Sequence, residues 1–260
     1  GAVEPPRLLL ASAGELAPNG LANESGQVGR NLLETLSWSS SGIAEMQLES
    51  FKGLPADSIC WDYNHPDAIP GTIGGCRFSV STAEADLVGP VNYAQRIVPG
   101  WGARHKQALR KAFGRVVTIG AIGESLPNDG TYVDLDPEER DRDGIPLARI
   151  HSFLPDQELK SLEFMMENCR KILQGAGIHN LVEEYGSYDF FSSTHIFGSC
   201  RMGTDPQTSV VNGYGQSHHW RNLFITDAST FPSSGGGESP SLTVEALAIR
   251  SGRHIVRSLG

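Results

Sequence analysis

The order in which helix and strand patterns follow one another along this chain is the feature that most constrains its fold. A clear helical pattern covers about 156–175, where apolar residues recur at helical spacing. It follows a stretch of rough apolar alternation at 37–60 and two short strand-like runs at 116–120 and 131–135. These patterns do not repeat as regular strand–helix–strand units. We therefore expect an α+β middle region with a mostly antiparallel sheet and helices, rather than a doubly wound parallel sheet.

Several further elements are predicted around this region. A helix should begin near Pro5 and Pro6, which suit a first helical turn, and Leu8 to Leu10 should pack on a core. The runs at 116–120 and 131–135 are expected to pair across the turn-forming residues 127–130, and 136–143 should be a solvated loop. The remaining predicted elements are a helix at about 101–113 with Lys106, Arg110 and Lys111 exposed, strands at 150–153 and 223–226, and a closing helix at about 241–256.

Charge and composition exclude several classes of function. The net charge of −9 argues against a nucleic-acid partner, and no apolar run approaches the roughly 20 residues that a membrane span needs. The four cysteines have no CxxC spacing, which gives a zinc site little support. They are expected to be buried thiols, and a single disulfide between two of them remains an alternative. We expect a soluble protein, cytoplasmic or periplasmic, and the compartment stays open.

Three patches could carry chemistry, although each also has a purely structural explanation. His195 lies in an apolar segment that ends in Cys-Arg-Met-Gly, and a lone histidine of this kind is more often structural than catalytic. Asp227 follows a predicted strand and precedes small residues, so it could reach a ribose or ribityl hydroxyl. The glycine-rich turn at 233–237 opens the last helix, where free backbone N–H groups could stabilise negative charge.

Two other features point away from metal and hydrolase chemistry. His218 and His219 are adjacent, so on an extended segment they point to opposite sides, and no third ligand has suitable spacing. The sequence therefore predicts no metal site. There is also no G-x-S-x-G segment, which weakens a hydrolase interpretation.

A long ordered set of short motifs connects these patches. It comprises His195, Gly198, Cys200–Gly203, Asp205-Pro206, Ser209–Val211, Asn222-Leu223, Asp227–Ser229, Phe231-Pro232, Gly235–Gly237, Pro240–Thr243 and Ala246–Arg250. In this order and spacing the set closely resembles the carboxyl-terminal signature of glucose-methanol-choline (GMC) oxidoreductases. Gly1–Ser12 is similar to the family's second signature, with Pro5 in place of Ser or Thr, and Val28–Leu32 resembles its flavin-contacting Val-Gly-x-Asn-Leu.

The resemblance implies two structural units. Residues 1–36 and 190–260 would belong to a FAD-binding domain and 37–189 would form the substrate-binding domain, so the fold class expected for the whole chain is α/β and α+β. The GxGxxG segment that holds the ADP part of FAD in this family is absent from the chain. We therefore expect a preceding segment or a second polypeptide to supply it, and we expect the chain to be a fragment or one subunit of a split protein.

The resemblance also implies roles for individual residues. His195 takes the place of the family's base, and Ser239 stands 44 positions later, where the family usually has Asn or His. Serine has a shorter reach and is not a base, so Glu238 or an upstream residue is a candidate to assist. The cofactor neighbours implied are Asn31 near the flavin, Asp227 and Ala228 at the ribityl–phosphate part, and Ser241, Leu242 and Thr243 at the pyrimidine end.

The function implied is transfer of hydride from an alcohol, with a sugar or polyol preferred as substrate, to FAD. Two alternatives remain at this stage. FAD-containing hydroxynitrile lyases share the fold but use the site for acid–base cleavage, and a fragment without the nucleotide-binding half could be non-catalytic. Substrate identity, electron acceptor and the mode of FAD attachment stay open.

Overall fold

A five-stranded antiparallel sheet forms the centre of the chain. The computed structural model describes residues 1–52, 58–82, 89–191, 195–235, 237 and 239–259. Its strands are β1 (Leu36–Ile43), β2 (Ile59–Cys60), β3 (Cys76–Thr82), β4 (Val116–Gly123) and β7 (Asn180–Gly186). They lie in the order β2-β3-β4-β1-β7, and every neighbouring pair is antiparallel. The prediction of a mostly antiparallel sheet with helices is confirmed.

One helix closes a face of this sheet. Helix α4 (Asp156–Gly175) has the bounds that its apolar periodicity predicts, and it packs on β1 and β4. Its residues Leu162, Met165 and Leu173 are completely buried in the core cluster that also contains Leu36 of β1. This layer packs the middle of the chain on one face of the sheet.

The predicted pairing of two strands is wrong. β4 does not pair with β5 (Tyr132–Arg140), because β1 and β3 already occupy both edges of β4. β5 instead pairs with β6 (Pro146–His151) as a separate antiparallel hairpin. The solvated loop predicted at 136–143 is therefore in part strand, since β5 continues to Arg140, although its residues there are exposed.

Three of the other helices, α1 (Glu4–Ala11), α3 (Gly102–Ala112) and α5 (Ser241–Leu259), begin and end close to the predicted residues. Helix α2 (Gly89–Arg96) was not predicted, because the sequence around it is rich in proline, glycine and other loop-forming residues. Pro5 and Pro6 lie in the first turn of α1, but only Leu9 of its leucines is buried and Leu8 is 64% exposed. The expected packing of Leu8 is therefore wrong, because it lies on the outward side of a helix that buries one side only.

The segment between β7 and α5 is mostly irregular. A short 3-10 helix covers Ala228–Thr230, and the strand predicted at 223–226 is reduced to an isolated bridge between Gln216 and Phe224. The alternation beyond β1 is likewise not strand, since 44–52 are irregular and Met46 is 68% exposed. The cysteines are free thiols, three of them buried and Cys60 half-buried. Among the described residues no helix combines the length and apolarity needed to cross a membrane.

Candidate active site

The structure brings His195 and Ser239 together from positions 44 residues apart. Ser239 Oγ lies 3.1 Å from His195 Nε2, which is hydrogen-bonding distance. The backbone of His195 has φ +53°, a conformation that is uncommon for a residue with a side chain. Thr35 Oγ1 donates to the His195 carbonyl at 2.9 Å and helps to hold this conformation. The pair is accessible, because Ser239 is exposed and His195 is half-buried.

The surroundings of His195 favour its neutral form. Burial lowers the pKa of the imidazole below the usual 6.5, and the positive charge of Arg77 lowers it further. Nδ1 is buried and has no hydrogen-bond partner among the described residues. A neutral ring at pH 7 has one nitrogen free to accept a proton, and Nε2 is the nitrogen that faces Ser239.

A tight backbone contact ties His195 to the segment that contains Asn31. Phe197 and Leu33 exchange two backbone hydrogen bonds of 2.9 Å. Gly198 follows with φ +70°, and a Cβ at this position would collide with the Asn31 carbonyl. Glycine is therefore required where these two segments meet. Asn31 itself is half-buried with φ +57°, and its side chain bonds Gln27.

Asp227 begins the 3-10 helix beside the same segment. Its Oδ1 accepts hydrogen bonds from the N–H and Oγ of Ser229. Burial opposes ionisation, but these bonds outweigh it and lower the pKa of Asp227 below its ordinary value. The Ala228 carbonyl accepts from the N–H of Gly198, so Asp227 and His195 are connected through short backbone contacts.

The turn that leads to Ser239 is anchored to the sheet by residues that sequence reasoning missed. Ser234 Oγ bonds both the N–H and the carbonyl of Ser125, at 3.0 and 2.8 Å. Arg77 Nε of β3 donates to the Gly237 carbonyl at 3.0 Å. No local pattern predicts that Arg77 and Ser125 anchor this turn, since that role depends on which strands are adjacent. Gly236 and Glu238, and with them the suggested help from Glu238, lie outside the described residues.

The first turn of α5 is open to solvent. Ser241, Leu242 and Thr243 are exposed, and Leu242 reaches 78% exposure. The first backbone bond of this end runs from Val244 N–H to the Pro240 carbonyl, so the preceding N–H groups have no partner within the helix. These donors, together with the positive end of the helix dipole, suit a negatively charged group.

Metal chemistry has no comparable arrangement in the described part of the chain. No group of three or more His, Cys, Asp or Glu side chains there is placed to hold a metal ion. The Nε2 atom of the half-buried His218 lies 2.8 Å from Ser209 Oγ, while the neighbouring His219 is exposed. The structure thus gives His218 a structural hydrogen bond.

Comparison with known proteins shows which family the chain resembles. The family model described as GMC oxidoreductase matches residues 127–248. The chain is 30% identical over 97% of its length to 2-methyl-1,2-propanediol dehydrogenase of Mycolicibacterium austroafricanum, and 31% identical over 99% to paromamine 6'-oxidase of Streptomyces fradiae. It covers 46% and 44% of these proteins, so it spans about half the length of the curated relatives it matches.

The fold is shared with solved structures. Pyridoxine 4-oxidase from Mesorbium loti superposes with a TM-score of 0.64 at 18% identity, over 98% of this chain and 50% of that one. Formate oxidase of Aspergillus oryzae, a protein in which FAD modification has been described, superposes with a TM-score of 0.62 at 14% identity, over 96% of this chain and 52% of that one. On the family match, the relatives and the shared fold, this chain belongs to the GMC oxidoreductase family and corresponds to its carboxyl-terminal portion.

Proposed function

We propose that this chain is the carboxyl-terminal part of a FAD-dependent oxidoreductase that takes hydride from an alcohol CH–OH group, with His195 as the base. The observation that carries the proposal is the 3.1 Å contact between His195 Nε2 and Ser239 Oγ beside the open first turn of α5. A base and a hydrogen-bonding partner at this distance can hold one hydroxyl group between them.

The residues present fit a flavin on the α5 side of the site. The exposed N–H groups of Ser241, Leu242 and Thr243 form a cradle for the negative charge of a reduced ring. We assign Asp227 and Ala228 to the ribityl–phosphate part and Asn31 to the edge of the ring. When bound, FAD would supply the two-electron acceptor that no amino-acid side chain provides.

Within the chain, His195 and Ser239 divide the handling of the alcohol. The imidazole accepts the hydroxyl proton at Nε2 in the tautomer that carries its own proton on Nδ1, and burial together with Arg77 favours the neutral ring by lowering its pKa. Ser239 orients the substrate oxygen through its own hydroxyl but does not act as a base. A serine in place of a larger amide or imidazole leaves more room next to His195, so a bulky substrate can approach.

The substrate class proposed is a polyhydroxylated compound such as a sugar or polyol. The relatives are named for 2-methyl-1,2-propanediol, paromamine, gluconate and fructose, each of which carries several polar groups. The chain covers 31% and 46% of the gluconate 2-dehydrogenase flavoprotein and the fructose dehydrogenase large subunit, so this transfer of substrate class is part of the proposal.

We further propose that 1–36 and 190–260 contribute to the FAD-binding domain and 37–189 to the substrate-binding domain. The remaining part of the FAD site, including a GxGxxG segment, would come from a preceding segment or a second polypeptide. The match of this chain to about half of each relative supports this division.

The test is anaerobic flavin reduction by an alcohol, measured by stopped flow in the intact protein. We expect His195→Ala to slow reduction by about 10²–10⁴-fold with unchanged FAD content, because general-base help has this size. Ser239→Ala should slow it by about fivefold, the effect of one hydrogen bond of about 1 kcal/mol. The exposed His219→Ala is the matched control and should reduce its flavin normally.

Three results would contradict the proposal. Normal reduction in His195→Ala would remove this residue from the mechanism. A protein that binds FAD, but whose flavin is not reduced by any alcohol, would instead favour the hydroxynitrile-lyase alternative. A protein without FAD would favour the non-catalytic alternative.

A further inference from the structure

The segment 96–115 is strongly basic within an acidic protein. It contains six of the 21 Lys and Arg residues and no Asp or Glu, whereas the whole chain has a net charge of −9. Most of these cations lie on α3, where Arg104, Lys106, Arg110 and Lys111 are all exposed. Nothing in the proposed alcohol oxidation uses them.

Trp101 stands directly before this helix and is 90% exposed. A tryptophan in that position buries little of its apolar surface, which is unfavourable in water by about 25 cal/mol per Å². Tryptophan is enriched where protein meets the headgroup region of a bilayer, because its ring is apolar and its N–H is polar. An exposed tryptophan next to a basic helix therefore indicates a docking surface for another molecule or a membrane.

A groove of about 620 Å³ lies against the same helix. Its apolar lining comes from three places: the edge of the sheet, the residues that follow α2, and α3 itself. It includes Ile43, Val98, Ala108 and Val182. Two cations, Lys111 and Arg115, also line it. Arg115 donates to the Glu45 carbonyl, but its Nε is buried without a hydrogen-bond partner among the described residues. Glu45 is the acidic residue in this lining.

One flank of α3 connects these features. Arg104, Ala108 and Lys111 are spaced i, i+4 and i+7, so they follow one another along the same side of the helix. Because Ala108 and Lys111 both line the groove, Arg104 lies on the groove side as well. The groove thus combines an apolar floor with a row of cations on one rim.

We propose that this face, formed by Trp101, α3 and the adjoining groove, docks on a membrane surface that contains anionic phospholipid. Phosphate headgroups are complementary to the cations, and the apolar floor and Trp101 are complementary to the upper part of the acyl chains. The long Lys and Arg side chains can lie along the apolar surface while their charged ends reach the phosphates. The attachment is peripheral and is independent of the flavin-site proposal.

The experiment is cosedimentation of the intact protein with vesicles of phosphatidylglycerol and phosphatidylcholine, compared with vesicles of phosphatidylcholine alone. We expect binding to the anionic vesicles only, and its loss at high salt. Arg104→Gln with Lys111→Gln should weaken binding by about 25-fold, since each cation near an anionic surface contributes about fivefold. Trp101→Ala should weaken it by about tenfold, for the loss of partial aromatic burial.

Arg140→Gln with Arg142→Gln is the matched control. Both residues are exposed on the β5–β6 hairpin, and their replacement lowers the net charge by the same amount. This variant should bind vesicles within about twofold of the natural protein. Circular dichroism would verify that each variant is folded.

Several outcomes would overturn the proposal. Equal binding to neutral vesicles would remove the role of charge, and equal weakening by the two double variants would show that net charge matters and this face does not. Absence of vesicle binding together with binding to polyglutamate would assign the face to an acidic protein partner instead.

Discussion

Replacing Gly198 by alanine tests whether the backbone contact with Asn31 holds the candidate site together. Gly198 has φ +70°, and an added Cβ would overlap the Asn31 carbonyl. His195 is three residues away in the same segment, so any shift that relieves the overlap moves the imidazole as well. The substitution therefore changes the position of His195 without removing any catalytic group.

The expected cost has two parts. A residue with a Cβ in the left-handed region costs about 1–2 kcal/mol relative to glycine. The overlap adds about 1–3 kcal/mol, the usual cost of forcing an extra carbon into a packed site. We therefore expect Gly198→Ala to lower the free energy of unfolding by about 2–5 kcal/mol.

The two parts can be separated by a matched glycine. Gly144 has φ +81°, but a Cβ there would have nothing within 4 Å. Gly144→Ala should therefore show only the backbone cost of about 1–2 kcal/mol in urea unfolding. If the two variants lose equal stability, the close approach of Gly198 to Asn31 is wrong. If Gly198→Ala is as unstable as expected but reduces flavin normally, the contact does not position His195.

Two further outcomes follow from single residues. Arg77→Gln removes the positive charge that helps to lower the pKa of His195, while burial, the larger cause, remains. We expect the His195 pKa to rise but stay below 6.5, so the acid limb of the pH profile of flavin reduction should move to higher pH. Arg77→Lys keeps the positive charge and should leave that limb in place. An NMR titration in which Arg77→Gln does not change the His195 pKa would contradict the reasoning. Leu162→Ala should lower the free energy of unfolding by about 2–5 kcal/mol, because the side chain is completely buried between α4 and the sheet. A loss below about 1 kcal/mol in urea unfolding would mean that this layer is loosely packed.

Local sequence patterns determined α1, α3, α4 and α5 well, although they did not predict α2. The apolar spacing of α4, the Pro–Pro start of α1 and the Pro240 start of α5 all act within a few residues, so they can be read without the fold. The order of short motifs also identified His195 and Ser239, because that order reflects a shared ancestry and not a local contact.

Strand pairing could not be determined in the same way. β4 and β5 looked like neighbours because a turn separates them, yet β4 is placed between β1 and β3, whose pairing depends on residues far apart in the chain. Hydrogen bonding between strands depends on which edges are free, and a sequence pattern does not contain that information.

Strand pairing also explains why one part of the site could be predicted from sequence and another part only from the tertiary structure. His195 and Ser239 lie in recognisable motifs, whereas Arg77 and Ser125 lie in ordinary strand and loop sequence. They reach the turn before Ser239 only because β3 and β4 are adjacent and in register, with Arg77 opposite Ile122. The sequence by itself determined which groups are the candidates for the chemistry, and the long-range pairing of strands decided which residues hold them in place.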